Sequence, residues 1–196
     1  MYTRSKIKLV RGIGINDADS PTQKFEKVNG VWKQVWICPY YRKWRSMLNR
    51  CFKDKSRITV CKDWLVFSNF KNWVDAQPVR GWEDCHLDKD LLVSGNTTYS
   101  PDTCAFISGK VNGFLLDGES SRGDYLIGVC WKKKNNKFTA QCNNPFNDER
   151  GYLGLYDTEE DAHYSWKKKK HEYACLLADT QEDIRVKTAL LNRYKY

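Results

Sequence analysis

The sequence lacks any apolar run of the roughly 18–20 residues that a membrane-spanning helix needs. Its first six residues, Met-Tyr-Thr-Arg-Ser-Lys, also lack the apolar stretch and the small-residue cleavage site of a signal peptide. The two absences predict a chain with no membrane partner that works in the cytoplasm.

Closely spaced cysteine pairs are missing as well. The chain has 8 cysteines, but no two lie within three residues of each other, so the C-x-x-C pairs of structural zinc sites are absent. In a cytoplasmic protein such scattered cysteines are typically reduced and buried. We expect no structural zinc.

Apolar side chains and positive charge are abundant. Hydrophobic residues make up 41% of the 196 and aromatics 14%, which is enough to bury a core in one domain or two small ones. The 33 Lys and Arg outnumber the 24 Asp and Glu, and a net charge of +9 favours an anionic partner such as nucleic acid.

The excess charge is unevenly distributed. Residues 1–80 carry +11, residues 81–118 carry −4 and residues 119–196 carry +2. An acidic stretch inside a basic protein is what a divalent-cation site facing a phosphate backbone requires. A solvated acidic loop gives the same charge pattern, so both readings stay open.

Local patterns predict the elements of the first 80 residues. The first 20 read as an irregular basic arm, and Asn29-Gly30 between two alternating runs predicts a β-hairpin over about 24–37. After Pro39, apolar residues at helical spacing predict a helix with a basic outer face. An aromatic stripe predicts a second helix over 63–76, packed against the first.

The remaining patterns predict a strand at 85–93, then a helix capped by Ser100 with Pro101 at its first position. A Gly- and Ser-rich stretch places a domain boundary near 117–122. Three short strands follow, and Thr158 opens a helix that runs to about Ala178. A last helix covers about 181–194.

The predicted fold class is α+β. It combines a basic arm with a helical hairpin, a degenerate HNH-like ββα core and a C-terminal three-stranded antiparallel sheet packed on one helix. The predicted domains are the arm and β-hairpin at 1–37, the helical hairpin at 38–80, the core at 81–117, the sheet domain at 122–180 and a terminal helix at 181–196.

Residues 122–178 resemble the plant Apetala/ethylene-response-factor DNA-binding domain, through the segments 127–129, 137–141, 152–156 and 158–162. The resemblance implies that the sheet face away from the helix enters a DNA major groove. The side chains that it places toward DNA are Cys130, Lys132, Lys134, Gln141, Asn143, Arg150 and Tyr152, with Lys137 beside them. Several positions that are Arg in plant members differ here, so base preference does not transfer.

The other helix residues receive structural interpretations. The run 167–170, four consecutive lysines, lies on the helix side away from the predicted DNA face and is expected to be solvated surface. His163 and His171, on the same helix, are expected to have structural roles only.

The acidic middle is similar to the nuclease core of phage HNH homing endonucleases, through His86-Leu87-Asp88, Gly95-Asn96 and 101–107. With upstream segments the likeness covers about 38–178. It implies that a His activates water against a phosphodiester while a divalent cation, Mg²⁺ or Mn²⁺, stabilises the developing charge. The candidate catalytic residues are His86, Asp88, Asp90 and Asn96, with Asp88 and Asp90 as metal ligands.

The motif departs from the family pattern in three places. Cys85 stands where a metal ligand is usual, Thr103 stands where a helix Asn is usual, and four extra residues separate Asp88 from Gly95. A second register centres the turn on Asp88-Lys89-Asp90 and puts Lys89 where the base belongs; Lys, with a reference pKa near 10.4, is a poor base at neutral pH unless desolvated.

The functional expectation is a phage-type DNA endonuclease or nickase acting on double-stranded DNA in the host cytoplasm. Arg42, Arg45 and Arg50 on the first helix are expected to add phosphate contacts. Two alternatives remain: a catalytically degenerate DNA-binding or regulatory phage protein, and a factor that binds a host protein.

Overall fold

A computed structural model describes residues 9–52, 57–116, 124–147 and 149–195. The fold is mixed, with α-helices and several small sheets, as expected of the α+β class. The chain divides into two compact units, residues 1–106 and 107–196. The described helices include none that is both long and apolar enough to cross a bilayer.

The first unit begins with a β-hairpin. Strands β1 (Gln23–Val28) and β2 (Val31–Ile37) pair antiparallel across Asn29 and Gly30. Both turn residues have positive φ, 50° and 80°, which is the backbone of the tight turn that Asn-Gly favours. The predicted hairpin is confirmed.

Two helices build the core of the first unit. Helix α1 (Pro39–Cys51) buries Trp44 and Leu48, and helix α2 (Phe67–Asp75) packs its aromatic stripe against it. The predicted helix over 63–76 is interrupted: a single 3₁₀ turn at Asp63–Leu65 precedes α2, because Val66 is extended (φ −97°, ψ 126°).

Residues 9–17 of the predicted irregular arm are docked on this core. Ile15 donates its N–H to Leu65 O at 2.7 Å. Gly14 lies so close to α1 that an added Cβ would be 2.5 Å from Leu48 Cδ1. The absence of a side chain at Gly14 therefore lets this segment reach the core.

The predicted strand at 85–93 and the predicted helix after Ser100 are both wrong. The strand is only β4 (His86–Asp88), because Asp88 Oδ1 accepts the N–H groups of Asp90 and Leu91 and turns the chain. A hydrogen bond of 2.8 Å between the Ser100 and Thr103 hydroxyls closes a turn in place of a helix.

Short strands surround that turn. Strand β3 (Thr59–Val60) pairs in parallel with β5 (Thr98–Tyr99), and β4 pairs with β6 (Ala105–Ile107). The helix of this region is α3 (Gly109–Leu115), whose Ser108 hydroxyl accepts the Val111 N–H at 3.2 Å. The expected HNH-like ββα core, with its helix at 101–107, is not confirmed.

The second unit contains the predicted three-stranded sheet. Strands β7 (Val129–Lys132), β8 (Lys137–Asn143) and β9 (Arg150–Tyr156) are antiparallel, with β8 in the centre. Helix α4 (Glu159–Ala178) packs on one face, and α5 (Ile184–Arg193) packs on α4. Thr158 caps α4 by accepting the Asp161 N–H at 3.2 Å, as its sequence predicted.

The division between the units, after Phe106, places α3 with the second unit. The sequence put α3 in the domain at 81–117. Residues 117–123, which contain the predicted boundary at 117–122, lie outside the described residues.

Candidate nucleic-acid interface and basic pocket

Strand register decides which side chains of the second unit face away from α4. Residues directly opposite each other on neighbouring strands share a face of a sheet. Val129 pairs with Ala140, and both pack against Ala162 of α4. The alternate pairs therefore lie on the other face, which we call the open face. Its residues are Cys130, Lys132, Lys137, Thr139, Gln141, Asn143, Arg150, Tyr152 and Leu155.

A bulge in β9 is essential to this arrangement. The register shifts between Ala140 and Gln141, so that Gly154 opposes Ala140 while Tyr152 opposes Gln141. Leu153 is the extra residue, and it packs with the cluster under α4. Without the bulge, Tyr152 and Arg150 would lie on the helix side of the sheet, since a shift of one residue exchanges the two faces.

The open face combines cations with amide and aromatic groups. Lys132, Asn143 and Arg150 are exposed, and Tyr152 keeps 62% of its surface. Lys137 forms an ion pair of 2.9 Å with the exposed Asp157, a kind of contact that contributes little to stability. Lysines suit phosphate oxygens, while Gln and Asn can make paired hydrogen bonds to adenine.

Lys134 lies in the exposed turn between β7 and β8, at the edge of the open face. Of the eight residues that the sequence placed toward DNA in this unit, all but Lys134 lie on the open face: Cys130, Lys132, Lys137, Gln141, Asn143, Arg150 and Tyr152. These positions are a property of the fold; DNA binding itself remains a prediction.

The lysine run on α4 is not uniformly solvated, and the interpretation of it as surface is wrong for Lys170. This residue is 8% exposed, and its Nζ donates to Phe114 O at 2.6 Å. The ammonium also lies 3.8 Å from the centroid of the Phe114 ring. Lys168 is exposed, as expected.

The histidines of α4 make local contacts. His163 Nδ1 lies 2.9 Å from Ile127 O, and its ring stacks on Trp166 at 5.3 Å. His171 Nε2 lies 3.7 Å from Cys175 Sγ. These contacts agree with the structural roles that the sequence analysis assigned to both.

The three arginines of α1 are each held by the protein. Arg42 donates to Glu83 O at 3.0 Å, Arg45 donates to Gln23 Oε1 at 2.8 Å, and Arg50 donates to Tyr99 OH at 3.0 Å. A guanidinium donates through N–H groups in a fixed planar arrangement, so each of these bonds fixes the direction of its group. Arg42 and Arg50 are exposed and Arg45 is half-buried, and their phosphate contacts remain a prediction.

The first unit has a pocket of about 160 Å³ beside Arg50, which we call the basic pocket. His86, on β4, lines it together with Lys43 and Arg50 of α1. Lys43 donates to Cys85 O, and burial, followed by the nearby charge of Arg42, lowers its pKa. Burial raises the pKa of the Tyr99 hydroxyl despite the hydrogen bond from Arg50. The pocket also includes Ser46 and Asp84.

Neither Lys43 nor Tyr99 is among the functional residues predicted from the sequence. Lys43, Ser46 and Arg50 follow one another at i, i+3 and i+7, the spacing of one helix face. That spacing was a usable signal for a basic helix face, but its juxtaposition with His86 depends on tertiary packing.

Asp88 is the last residue of β4, and Asp90 and Asn96 lie in the loop that follows, where all three make structural contacts. Asn96 Nδ2 donates to Lys89 O at 2.6 Å and to Thr98 O at 2.8 Å. Lys89 Nζ donates to Asn96 O and to Asp90 Oδ2, both at 3.2 Å. These contacts close the loop through its backbone, and no hydrogen bond of the described residues joins His86 to them.

Burial, the largest influence, raises the pKa of Asp88; the negative charge of Asp90 adds to this, and the Leu91 N–H opposes it. A raised pKa means that the loop disfavours the ionised carboxylate. One oxygen of Asp88 is engaged by two backbone N–H groups, and Asp90 is paired with Lys89.

The fit of a divalent cation follows from these partners. Within the described ranges no three His, Cys, Asp or Glu residues cluster as metal ligands. A cation at Asp88 and Asp90 would have to displace the Lys89 ammonium from Asp90. Mg²⁺ is commonly held by one or two carboxylates, with waters and phosphate oxygens as its other ligands. Binding of a divalent cation at this pair remains a prediction.

The cysteines are less buried than expected, since only Cys104 and Cys142 are buried and Cys130 is exposed. All eight carry unbridged thiols. Burial raises the pKa of Cys104 to about 12, so this thiol stays protonated and unreactive at neutral pH.

No protein-family model, no curated protein and no solved structure matches this chain.

Proposed function

We propose that this protein binds double-stranded DNA through the open face of its three-stranded sheet, as a DNA-binding protein of the phage homing-endonuclease type. The observation that carries the proposal is the register of β7, β8 and β9. It collects Lys132, Arg150, Gln141, Asn143 and Tyr152 on the face that α4 leaves uncovered. The resemblance of residues 122–178 to a plant DNA-binding domain points to the same face.

The chemistry of the face supports two kinds of contact. Lys132, Lys134 and Arg150 lie around its edge and would neutralise phosphates, which sets affinity. Gln141 and Asn143 lie along the central strand, where amide groups can reach base edges. A phosphate contact and a base contact therefore come from different residues, and mutation can separate them.

The test compares two pairs of lysines by fluorescence anisotropy with a labelled duplex at several salt concentrations. Lys132→Ala with Lys134→Ala removes two phosphate contacts, and the slope of log affinity against log salt should fall by about 1.8, at about 0.9 per contact. Lys167→Ala with Lys168→Ala, the same charge change on α4, is the control and should leave the slope near that of the wild type. Equal loss in both variants would mean that net charge, and not the open face, binds DNA.

A second candidate function is hydrolysis of a DNA phosphodiester at the basic pocket. The observation that favours it is the position of His86, whose imidazole lines a pocket with the cations Lys43 and Arg50. The cations can hold a phosphate, and a neutral imidazole can take a proton from an attacking water. Mg²⁺ or Mn²⁺ belongs to this candidate through the HNH resemblance alone.

Cleavage of supercoiled DNA in Mg²⁺, in Mn²⁺ and in a chelator tests this candidate. The expected result is nicking by the wild type that His86→Ala abolishes while duplex affinity is unchanged. The engagement of Asp88 and Asn96 by backbone groups favours instead a DNA-binding protein that has lost catalysis. That alternative predicts no nicking in any metal, with tight binding retained.

A third possibility, a factor that binds a host protein, makes a different prediction. The test is a pull-down from host lysate that has been treated with nuclease. If the open face binds a host protein, the wild type should capture that protein and the open-face variants should not. Retention of duplex binding without any captured partner supports the DNA proposal.

A further inference from the structure

The β-hairpin of the first unit exposes aromatic side chains to an unusual extent. Trp32 keeps 68% of its surface, Phe25 53% and Trp36 43%. Every residue of β1 and β2 is exposed except Gln23 and Ile37, at the base. A surface of this kind usually marks a binding site, because exposed aromatic area is unfavourable in water. We call this hairpin the aromatic ribbon.

The register separates the ribbon into two faces. Phe25, Lys27 and Trp32 share one face, because Lys27 pairs with Trp32 and Phe25 is two residues from Lys27. Lys24 and Trp36 pair on the other face, where the Lys24 Nζ lies 5.8 Å from the Trp36 ring centroid. Each face thus pairs aromatic rings with an ammonium group.

The base of the ribbon is firmly attached. Gln23 Oε1 accepts a hydrogen bond from Arg45 at 2.8 Å, and Ile37 packs against the core. Cys38 donates its N–H to Thr22 O at 2.9 Å. The aromatic rings are therefore presented by a fixed element of the first unit.

The charge and the rings together select the partner. The ribbon carries three lysines, Lys24, Lys27 and Lys33, against one acid, Glu26, so it attracts polyanions. Aromatic rings beside lysines are the elements with which proteins bind unpaired nucleotides, because bases stack on the rings and phosphates meet the ammonium groups. In a duplex the base faces are stacked on each other and cannot receive these rings.

We propose that the aromatic ribbon binds single-stranded DNA by stacking bases on Phe25 and Trp32. To prefer RNA over DNA, the ribbon would need a side chain that hydrogen-bonds to the ribose 2′-hydroxyl. The amide on the Phe25 and Trp32 face, Gln34, directs its Nε2 to Gln23 Oε1 at 3.2 Å and Trp36 O at 3.4 Å, within the ribbon. The ribbon is left with base stacking on its rings and phosphate contacts to its lysines, and neither contact involves the 2′-hydroxyl. This binding is independent of the open face, which lies in the other unit.

The test uses a labelled oligothymidine of roughly ten nucleotides and the full chain. Trp32→Ala and Phe25→Ala should each weaken binding about five-fold or more, the loss of one stacked base. Trp32→Phe keeps a ring and should retain most of the affinity, whereas Trp32→Leu keeps apolar area without a ring and should lose it. Tyr164→Ala, an exposed aromatic on α4, is the control and should bind as the wild type does.

Far-UV circular dichroism and thermal melting establish that each variant folds. We expect folding to be retained because both rings are exposed and contribute little to the core. Equal affinity of Trp32→Leu and wild type for the oligothymidine would overturn the proposal, because binding would then need no aromatic ring at this position. Tighter binding of the RNA of the same sequence than of the DNA would also overturn it. So would an equal loss of affinity for a duplex in the Phe25→Ala and Trp32→Ala variants. Lys132→Ala with Lys134→Ala should weaken only the duplex, so failure here and failure of the proposed DNA function are distinguishable.

Discussion

The Lys170 ammonium of α4 donates a hydrogen bond to the Phe114 carbonyl at 2.6 Å and lies 3.8 Å above the ring of that same residue. Trp166 and Tyr194 complete an aromatic enclosure, with ring centroids 5.9 and 5.6 Å from the ammonium. One buried cation thus ties α3, α4 and the end of α5 together within the second unit.

Lys170 should therefore contribute to stability and not to DNA binding. A desolvated cation–π contact is worth about 2 kcal/mol, and a hydrogen bond from a charged group about 1.5–3 kcal/mol. Lys170→Met, which keeps the stem, should lower the free energy of unfolding by about 2–4 kcal/mol, as measured by urea denaturation. The exposed neighbour Lys168→Met should change it by less than about 0.5 kcal/mol; similar values for the two variants would contradict the enclosure.

Gly128 should be intolerant of any side chain. Its φ is +81°, and an added Cβ would lie 2.1 Å from Trp166 Cδ1, where α4 meets the sheet. Gly128→Ala should cost about 2–5 kcal/mol, from left-handed backbone strain of about 1–2 kcal/mol and overpacking of about 1–3 kcal/mol.

Gly30 provides the matched control, because its φ is +80° and nothing lies within 4 Å of its added Cβ. Gly30→Ala should show the backbone strain alone, about 1–2 kcal/mol. Thermal melting of both variants isolates the steric contribution of Trp166. If the two midpoints shift equally, α4 does not approach Gly128 as closely as described.

Asp88 should make stability depend on pH. Its pKa is raised above the ordinary 3.8, chiefly by burial, so the folded state binds this proton more tightly than the unfolded chain does. The stability from this carboxyl is complete below pH 3.8 and is lost as pH rises through the folded pKa. Asp88→Asn keeps the acceptor for the Asp90 and Leu91 N–H groups and removes the titration. Its stability relative to wild type should increase between about pH 4 and about pH 7.

Urea denaturation at the two pH values measures this difference. Asp102→Asn, which removes an exposed carboxylate, is the control. The opposite result would be a stability of Asp88→Asn that falls relative to wild type as pH rises. It would show that the folded protein favours the ionised Asp88 carboxylate, as a metal site would.

Gln141 and Lys132 should differ in what they contribute to DNA recognition, if the open face docks as proposed. Gln141→Ala should reduce discrimination at one base pair by about 1–3 kcal/mol, because a bidentate contact to adenine is lost. Lys132→Ala should weaken all duplexes alike. Selection of bound sequences from a random duplex pool, followed by titration of single-base variants, checks both. Unchanged selectivity of Gln141→Ala would remove this residue from base readout.

Elements that depend on residues close together in the sequence could be predicted. Asn29 and Gly30 form the turn of the β-hairpin because two adjacent residues with positive φ satisfy it without help from the rest of the chain. The three strands and α4 were predictable for a similar reason: alternation, the Thr158 cap and helical spacing all lie within a few residues.

In the acidic middle, residues 81–118, the predicted strand and helix were wrong where polar side chains compete with regular secondary structure for backbone hydrogen bonds. Ser100 and Pro101 favour the start of a helix, but Ser100 and Thr103 bond to each other and Thr103 donates to Thr98 O at 2.9 Å. Asp88 similarly ends its strand by accepting two backbone N–H groups. Short polar side chains offer the backbone these alternatives, and pattern rules do not weigh them.

The sequence by itself therefore determined the hairpin, α1, the three-stranded sheet with its helix, and the types of residue on each face. Tertiary structure alone decided that Lys170 is buried against Phe114, 56 residues away, that Gly14 reaches the core beside Leu48, and that His86 shares a pocket with Arg50. Each of these depends on a contact between distant segments, whose free energy comes from packing and desolvation at a place that no local pattern encodes.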